Sequence, residues 1–219
     1  MTAPVPPTAQ VVGTGLIGGS IGMALRRRGW RVTGRDADPA RARRALELAA
    51  IDHIGEDVGA AVTFVATPAD AVVEEARRAL AGGGIVTDVA GVKGPIAAAL
   101  AGAGRFIGGH PMAGSEQDGM DGADAGLFAG ATWVLTPGER TDPDAYARLR
   151  AVIASIGANP VAVSARRHDD LVALVSHVPH LAAAALMNLA ADTATEEAAL
   201  LRLAAGGFRD MTRVAAGAP

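Results

Sequence analysis

A doubly wound α/β fold, with a mostly parallel sheet and a partial all-helical segment behind it, is predicted by three features of the sequence. Short apolar or β-branched runs alternate with helical patterns, a glycine-rich turn joins the first run to the first helical pattern, and strand signals stop after Val163. Buried strands are expected at 10–13, 30–34, 62–66, 85–87, 105–108, 132–136 and 161–163, with helices between them at 16–28, 39–50, 70–80, 95–103 and 143–156. Two of these helices mark their own start: Asp38 before Pro39, and Asp142 before Pro143, place an acidic cap ahead of a proline in the first turn. Alternation of this kind implies βαβ crossovers, hence parallel strands with helices on both faces. The glycine- and acid-rich stretch 113–130 has no period and is too long for an ordinary connection, so a functional loop is expected there. One long helical stretch follows from 165 to about 193, kinked or broken at Pro179, and a shorter helix at 196–205 is stopped by Gly206 and Gly207. A boundary near Ser164 divides the chain into an α/β domain, 1–163, and an incomplete helical domain, 164–219, too short for a core of its own.

Half of the 219 residues are hydrophobic and 20% are charged, a globular balance. The net charge of −3 leaves no basic excess to neutralise phosphates, so neither nucleic acid nor an acidic membrane is expected as a partner. The absence of cysteine removes disulfide scaffolds, thiolate metal sites and cysteine nucleophiles, and fits a cytoplasmic location. Residues 1–10 carry prolines and no positive side chain, so no secretory signal is read there. The longest apolar stretch, 181–191, is interrupted by Asn188 and falls short of the ~20 residues of a membrane span, so no transmembrane segment is expected.

The first strand runs into Gly13-Thr14-Gly15-Leu16-Ile17-Gly18, a G-x-G-x-x-G turn that opens a helix. The first glycine serves the tight turn, the second lets the backbone approach a pyrophosphate, and the third lets helix pack on strand. Asp36 stands at the end of the second strand, where a carboxylate accepts from the ribose hydroxyls and repels a 2′-phosphate. The set predicts a Rossmann-type dinucleotide-binding domain that takes NAD, although Arg35 could serve a 2′-phosphate or stack on adenine. Thr67 closes the third clear strand and either lines the cofactor channel or caps the next helix. His110 follows the predicted strand 105–108, at the sheet edge where ligands collect, and is placed to take a hydroxyl proton near neutral pH. His177 and His180 share a helix face without an acidic or thiol companion, so no metal is expected. His53 and His168 lie among polar residues and are expected at the surface.

Five segments, at 13–20, 87–93, 109–116, 176–180 and 206–215, resemble in order the motifs of the prephenate and arogenate dehydrogenases of tyrosine biosynthesis. The resemblance implies oxidative decarboxylation of a cyclohexadienol, with His110 as the histidine that takes the ring hydroxyl's proton. It implies that Arg213 binds a substrate carboxylate, that Glu116 and Asp210 pair with that arginine, and that His180, with His177, lies near the substrate ring. Ser115 belongs to the same loop as Glu116 and is assigned to substrate contact. The sequence departs from the family at Gly91, where a serine hydroxyl usually contacts the catalytic histidine, and it stops at Pro219 where relatives continue with further helices. Prephenate is the expected substrate, with arogenate or a catalytically impaired remnant as alternatives, and a reductase of the hydroxyacid type disfavoured by the loop at 109–116. Apolar side chains from Leu171 to Leu189 cover more than one helix stripe, so a homodimer through the C-terminal helices is expected.

Overall fold

The computed structural model describes residues 6–115, 117, 119–196 and 203–213, in two compact units, Met1–His168 and Asp169–Pro219. In the first unit β1 (Thr8–Val12), β2 (Arg31–Arg35), β3 (His53–Ile54), β4 (Val62–Val65) and β5 (Ile85–Asp88) form a parallel sheet in the order β3-β2-β1-β4-β5. The helices α1 (Leu16–Arg26), α2 (Pro39–Glu47), α3 (Ala69–Leu80) and α4 (Gly94–Ala99) connect these strands or follow the last of them. β3 has no counterpart in the sequence reading: its two residues are exposed and too few to show a period. Both acidic caps form, Asp38 accepting from Ala40 N, and Asp142 from Asp144 N and Ala145 N at the start of α5 (Pro143–Ser155).

The strand expected at 105–108 is divided between two sheets. Its first half runs beside β5, with Val86 N donating to Arg105 O at 2.9 Å and Ile107 N donating to Val86 O at 3.0 Å. The chain then leaves the parallel sheet, and β6 (Gly108–Pro111) pairs antiparallel with β7 (Thr132–Thr136), which pairs parallel with β8 (Asn159–Ala162). The first unit is thus one parallel sheet continued by a smaller mixed one. One buried core serves both sheets, and within it Trp133 of β7 lies edge-on to Phe64 of β4, ring centroids 6.3 Å apart, and packs on Phe128 at 5.0 Å. These three rings matter more than their number suggests, because aromatics are only 3% of the chain.

Part of the 113–130 loop is core rather than free loop. Met120, in a 3₁₀ turn at Met120–Gly122, is 5% exposed and so close to Gly19 of α1 that a Cβ there would lie 2.5 Å from its sulfur. Asp124 N donates to Ser20 Oγ at 3.0 Å, which ties the same segment to α1.

The long C-terminal helix starts as α6 (Ala165–Val172), passes through a π-helical turn at Ala173–His177, and continues as α7 (Val178–Glu196). The irregular turn lies just ahead of Pro179, whose missing N–H cannot complete the regular ladder. The predicted helix 196–205 falls mostly outside the described residues. Gly206 and Gly207 open a helix of their own, Gly206–Thr212, behind an extended Ala205. Helix Ala165–Asp192 is long and apolar enough, by length and composition alone, to cross a bilayer; the uninterrupted apolar run 181–191 is only part of it.

Candidate active site

The glycine turn is built as a cradle. Gly13 adopts φ +92°, and a Cβ there would sit 2.3 Å from Ala66 O at the end of β4, so no other residue fits. A Cβ at Gly18 would meet Gly13 O at 1.9 Å, which holds α1 tightly against the turn. A Cβ at Gly15 would meet nothing within 4 Å, so the middle glycine borders open space. Gly15 is the N-cap of α1 and no side chain caps the helix, so its first amides are left for a ligand. Leu16 and Ile17, half-buried, form the first turn of α1.

Asp36 and Thr67 complete this edge. Asp36 accepts from Thr14 N at 2.7 Å through Oδ2 and from Asp38 N at 2.9 Å through Oδ1, so its carboxylate is fixed beside the glycine turn. Thr67 Oγ1 is buried and has no hydrogen-bond partner among the described residues, and it does not cap α3, whose N-cap is Pro68. An orphaned hydroxyl beside an open glycine and an uncapped helix fits a dinucleotide. Arg35 points into a carboxylate pair instead: its guanidinium bonds both oxygens of Glu75 and lies 3.1 Å from Glu56. That guanidinium holds the Glu75 carboxyl below its ordinary range, chiefly by hydrogen bonding.

His110 lies on β6, immediately past the junction between the two sheets. Its position is set through the preceding peptide. Gly109 N donates to Asp88 Oδ1 at 3.1 Å, Lys93 Nζ donates to Gly109 O at 2.7 Å, and Lys93 also bonds Asp88 Oδ2, both side chains being buried. Neither Gly108 nor Gly109 has room for a side chain: a Cβ would meet Thr136 Oγ1 at 2.4 Å in one case and Asp88 O at 2.6 Å in the other. Gly91 and His168 both lie beside the imidazole. A Cβ at Gly91 would lie 3.5 Å from Cε1 and 3.6 Å from Nε2, an ordinary contact, and Nδ1 is 2.9 Å from Nε2 of His168.

His168 is therefore not a surface residue: it is 2% exposed, with its ring edge-on to His110 at 5.1 Å. Sequence reasoning assigned it by its polar neighbours Arg166, Arg167, Asp169 and Asp170, which describe the other faces of α6. Its helical position, four after Ser164 whose carbonyl its amide bonds, was the available signal. His53 is exposed on β3. Ser115 is exposed and accepts from Gln117 N at 3.1 Å, a local turn, while Glu116 lies outside the described residues. In the second unit His180 is half-buried on α7, His177 is exposed, and Arg213 is exposed at the end of the helix Gly206–Thr212.

Two family models match the chain, the nucleotide-binding domain of prephenate dehydrogenase over residues 21–162 and its dimerization domain over 164–219. The chain belongs to the prephenate dehydrogenase family. It is 34% identical to the prephenate dehydrogenase of Bacillus subtilis, across 97% of this chain and 61% of that one. The structure of the A. aeolicus prephenate dehydrogenase, in complex with hydroxyphenyl propionate and NAD+, superposes with a TM-score of 0.89 at 30% identity, covering 100% of this chain and 81% of that one. Synechocystis arogenate dehydrogenase gives 0.79 at 37% identity, with 97% and 80% covered. The chain spans about three fifths of the length of the curated prephenate dehydrogenases it matches, at 61% and 60%.

Proposed function

We propose that this protein is an NAD-dependent dehydrogenase that converts prephenate to 4-hydroxyphenylpyruvate and carbon dioxide. The observation that carries this is the placement of His110: the buried Asp88–Lys93 pair locks the peptide before it to the end of β5, next to the sheet edge formed by the glycine turn, Asp36 and Thr67. Residues 1–163 hold the nucleotide in this reading, and 164–219 serve the substrate and the dimer. When bound, NAD supplies the acceptor for the hydride that leaves the hydroxyl-bearing ring carbon. Gly13 and Gly15 would give its pyrophosphate room to approach the turn, the backbone amides of Leu16, Ile17 and Gly18 would hold it, Asp36 would accept from the ribose, and Thr67 would offer its unpartnered hydroxyl.

His110 takes the proton of the substrate's ring hydroxyl as that carbon is oxidised. The C–C bond to the ring carboxylate then breaks, its electron pair enters the ring, carbon dioxide leaves, and the proton returns to the phenolic oxygen. Arg213 holds a substrate carboxylate, with Glu116 and Asp210 as its acidic companions. His180 and Ser115 contact the substrate. These roles follow the family resemblance, and a planar bidentate guanidinium suits the carboxylate. Arogenate is the second reading, favoured by the 37% identity to the Synechocystis enzyme. A homodimer follows from the match to a dimerization domain together with the apolar side chains of the C-terminal helix, such as Leu174, Val175 and Leu181, exposed in the single chain.

The deciding experiment is NADH formation with prephenate and with arogenate, each against NAD and NADP, beside the His110→Asn variant. Turnover with prephenate and NAD, lowered about 10²–10⁴-fold by the substitution, supports the reading. No turnover with either substrate, or an unaffected variant, overturns it.

A further inference from the structure

We propose that His168 is a positioning residue that sets the tautomer of His110, an inference that rests on His110 being the base. A hydrogen bond between two imidazole nitrogens needs one of them to donate and the other to accept. The contact joins Nδ1 of His110 to Nε2 of His168 at 2.9 Å. The other edge of the His110 ring, with Cε1 and Nε2, lies beside Gly91. A base acting through Nε2 needs a lone pair there, which places its ring proton on Nδ1. His168 then accepts that proton's hydrogen bond through Nε2 and carries its own proton on Nδ1. The reverse arrangement, with His168 donating, would put the His110 proton on Nε2 and remove the base.

The pair thus repeats, with a neutral acceptor, the logic by which a buried partner orients a catalytic imidazole and stabilises the imidazolium formed in the reaction. His168 is suited to this because it is 2% exposed, its ring is held edge-on to its neighbour, and α6 carries it. Gly91 brings no side chain to one edge of the ring, and the hydrogen bond between the imidazole and His168 is at the opposite edge.

The test combines two measurements. Nitrogen-15 NMR of the histidine rings in the intact protein reads the tautomers without any substitution. His110 is expected with its proton on Nδ1 and His168 with a bare Nε2. Kinetics of His168→Leu should then show kcat lowered about 10–100-fold with KM and NAD affinity unchanged. His168→Gln, whose amide oxygen can accept the same bond, should recover most of the loss. A proton on Nε2 of His110, a wild-type kcat in His168→Leu, or a glutamine variant as slow as leucine overturns the proposal. If His110→Asn itself stays active, the base assignment has failed instead, which separates the two ideas.

Discussion

Asp88 and Lys93 grip Gly109 through the two peptide groups that flank its Cα, the carboxylate accepting from its N–H at 3.1 Å and the ammonium donating to its carbonyl at 2.7 Å. Two charges at 0% and 1% exposure are stable here because each is bonded to the other and to backbone. Their product is geometric: the residue after Gly109 is His110.

Lys93→Met leaves the Asp88 carboxylate buried without its cation. We expect a loss of about 3–5 kcal/mol in urea unfolding. A loss below about 1 kcal/mol would show that the pair contributes little to the fold.

Gly15 and Gly13 should separate binding from folding. Gly15→Val places its side chain in open space, so the melting temperature should hold while NAD affinity falls about tenfold or more, ~1.4 kcal/mol. Gly13→Val, at φ +92° and against Ala66 O, should instead fail to fold stably. Calorimetric titration and thermal melts read the two effects apart, and equal NAD affinity in Gly15→Val would contradict the cradle.

Cofactor choice depends on Asp36 and on where Arg35 is spent. Because Arg35 is engaged by Glu75 and Glu56, it is not presented to a 2′-phosphate, and NAD should be preferred over NADP. Asp36→Ser should narrow that preference by removing the carboxylate that repels the phosphate. Comparable affinities of the unaltered protein for both nucleotides would count against the assignment.

The Arg35–Glu75 contact also gives a pH signature. The folded protein holds the Glu75 carboxyl below its ordinary value of 4.5, so the unfolded chain binds more protons in that range. Its contribution is therefore fully present above about pH 4.5 and is lost as the pH falls through the lower folded value. Glu75→Gln should lower stability at neutral pH, with the gap to the unaltered protein closing on acidification. A gap that stays constant from pH 7 to pH 3 in chemical unfolding would refute this.

Much of the parallel sheet could be read from the chain because its signals are local. The apolar runs, the proline-led helix starts at Pro39 and Pro143, and the glycine turn each depend on neighbours within a few residues. What could not be read depends on distant partners. Where the chain crosses from one sheet to the next, Thr136 leaves no space for a side chain at Gly108, and Asp88 and Trp133 leave none at Gly109, and none of these is near in sequence. His168 looked polar from its neighbours, yet one turn of helix decides which side faces solvent. Glycine at 91 was legible as a departure from a motif, but its contact with the ring of His110 was not.

The junction at Gly108 and Gly109 has a consequence for how this chain can change over time. In a strand, successive side chains face opposite ways, so a slip of one residue turns every one of them over. Lengthening or shortening the segment between Phe106 and His110 by a single residue would swing the imidazole to the back of its strand, away from His168, while sparing the nucleotide cradle. Inserted or deleted residues are therefore barred from this short stretch, and variation in length has to be absorbed elsewhere, in connections that carry no reacting group.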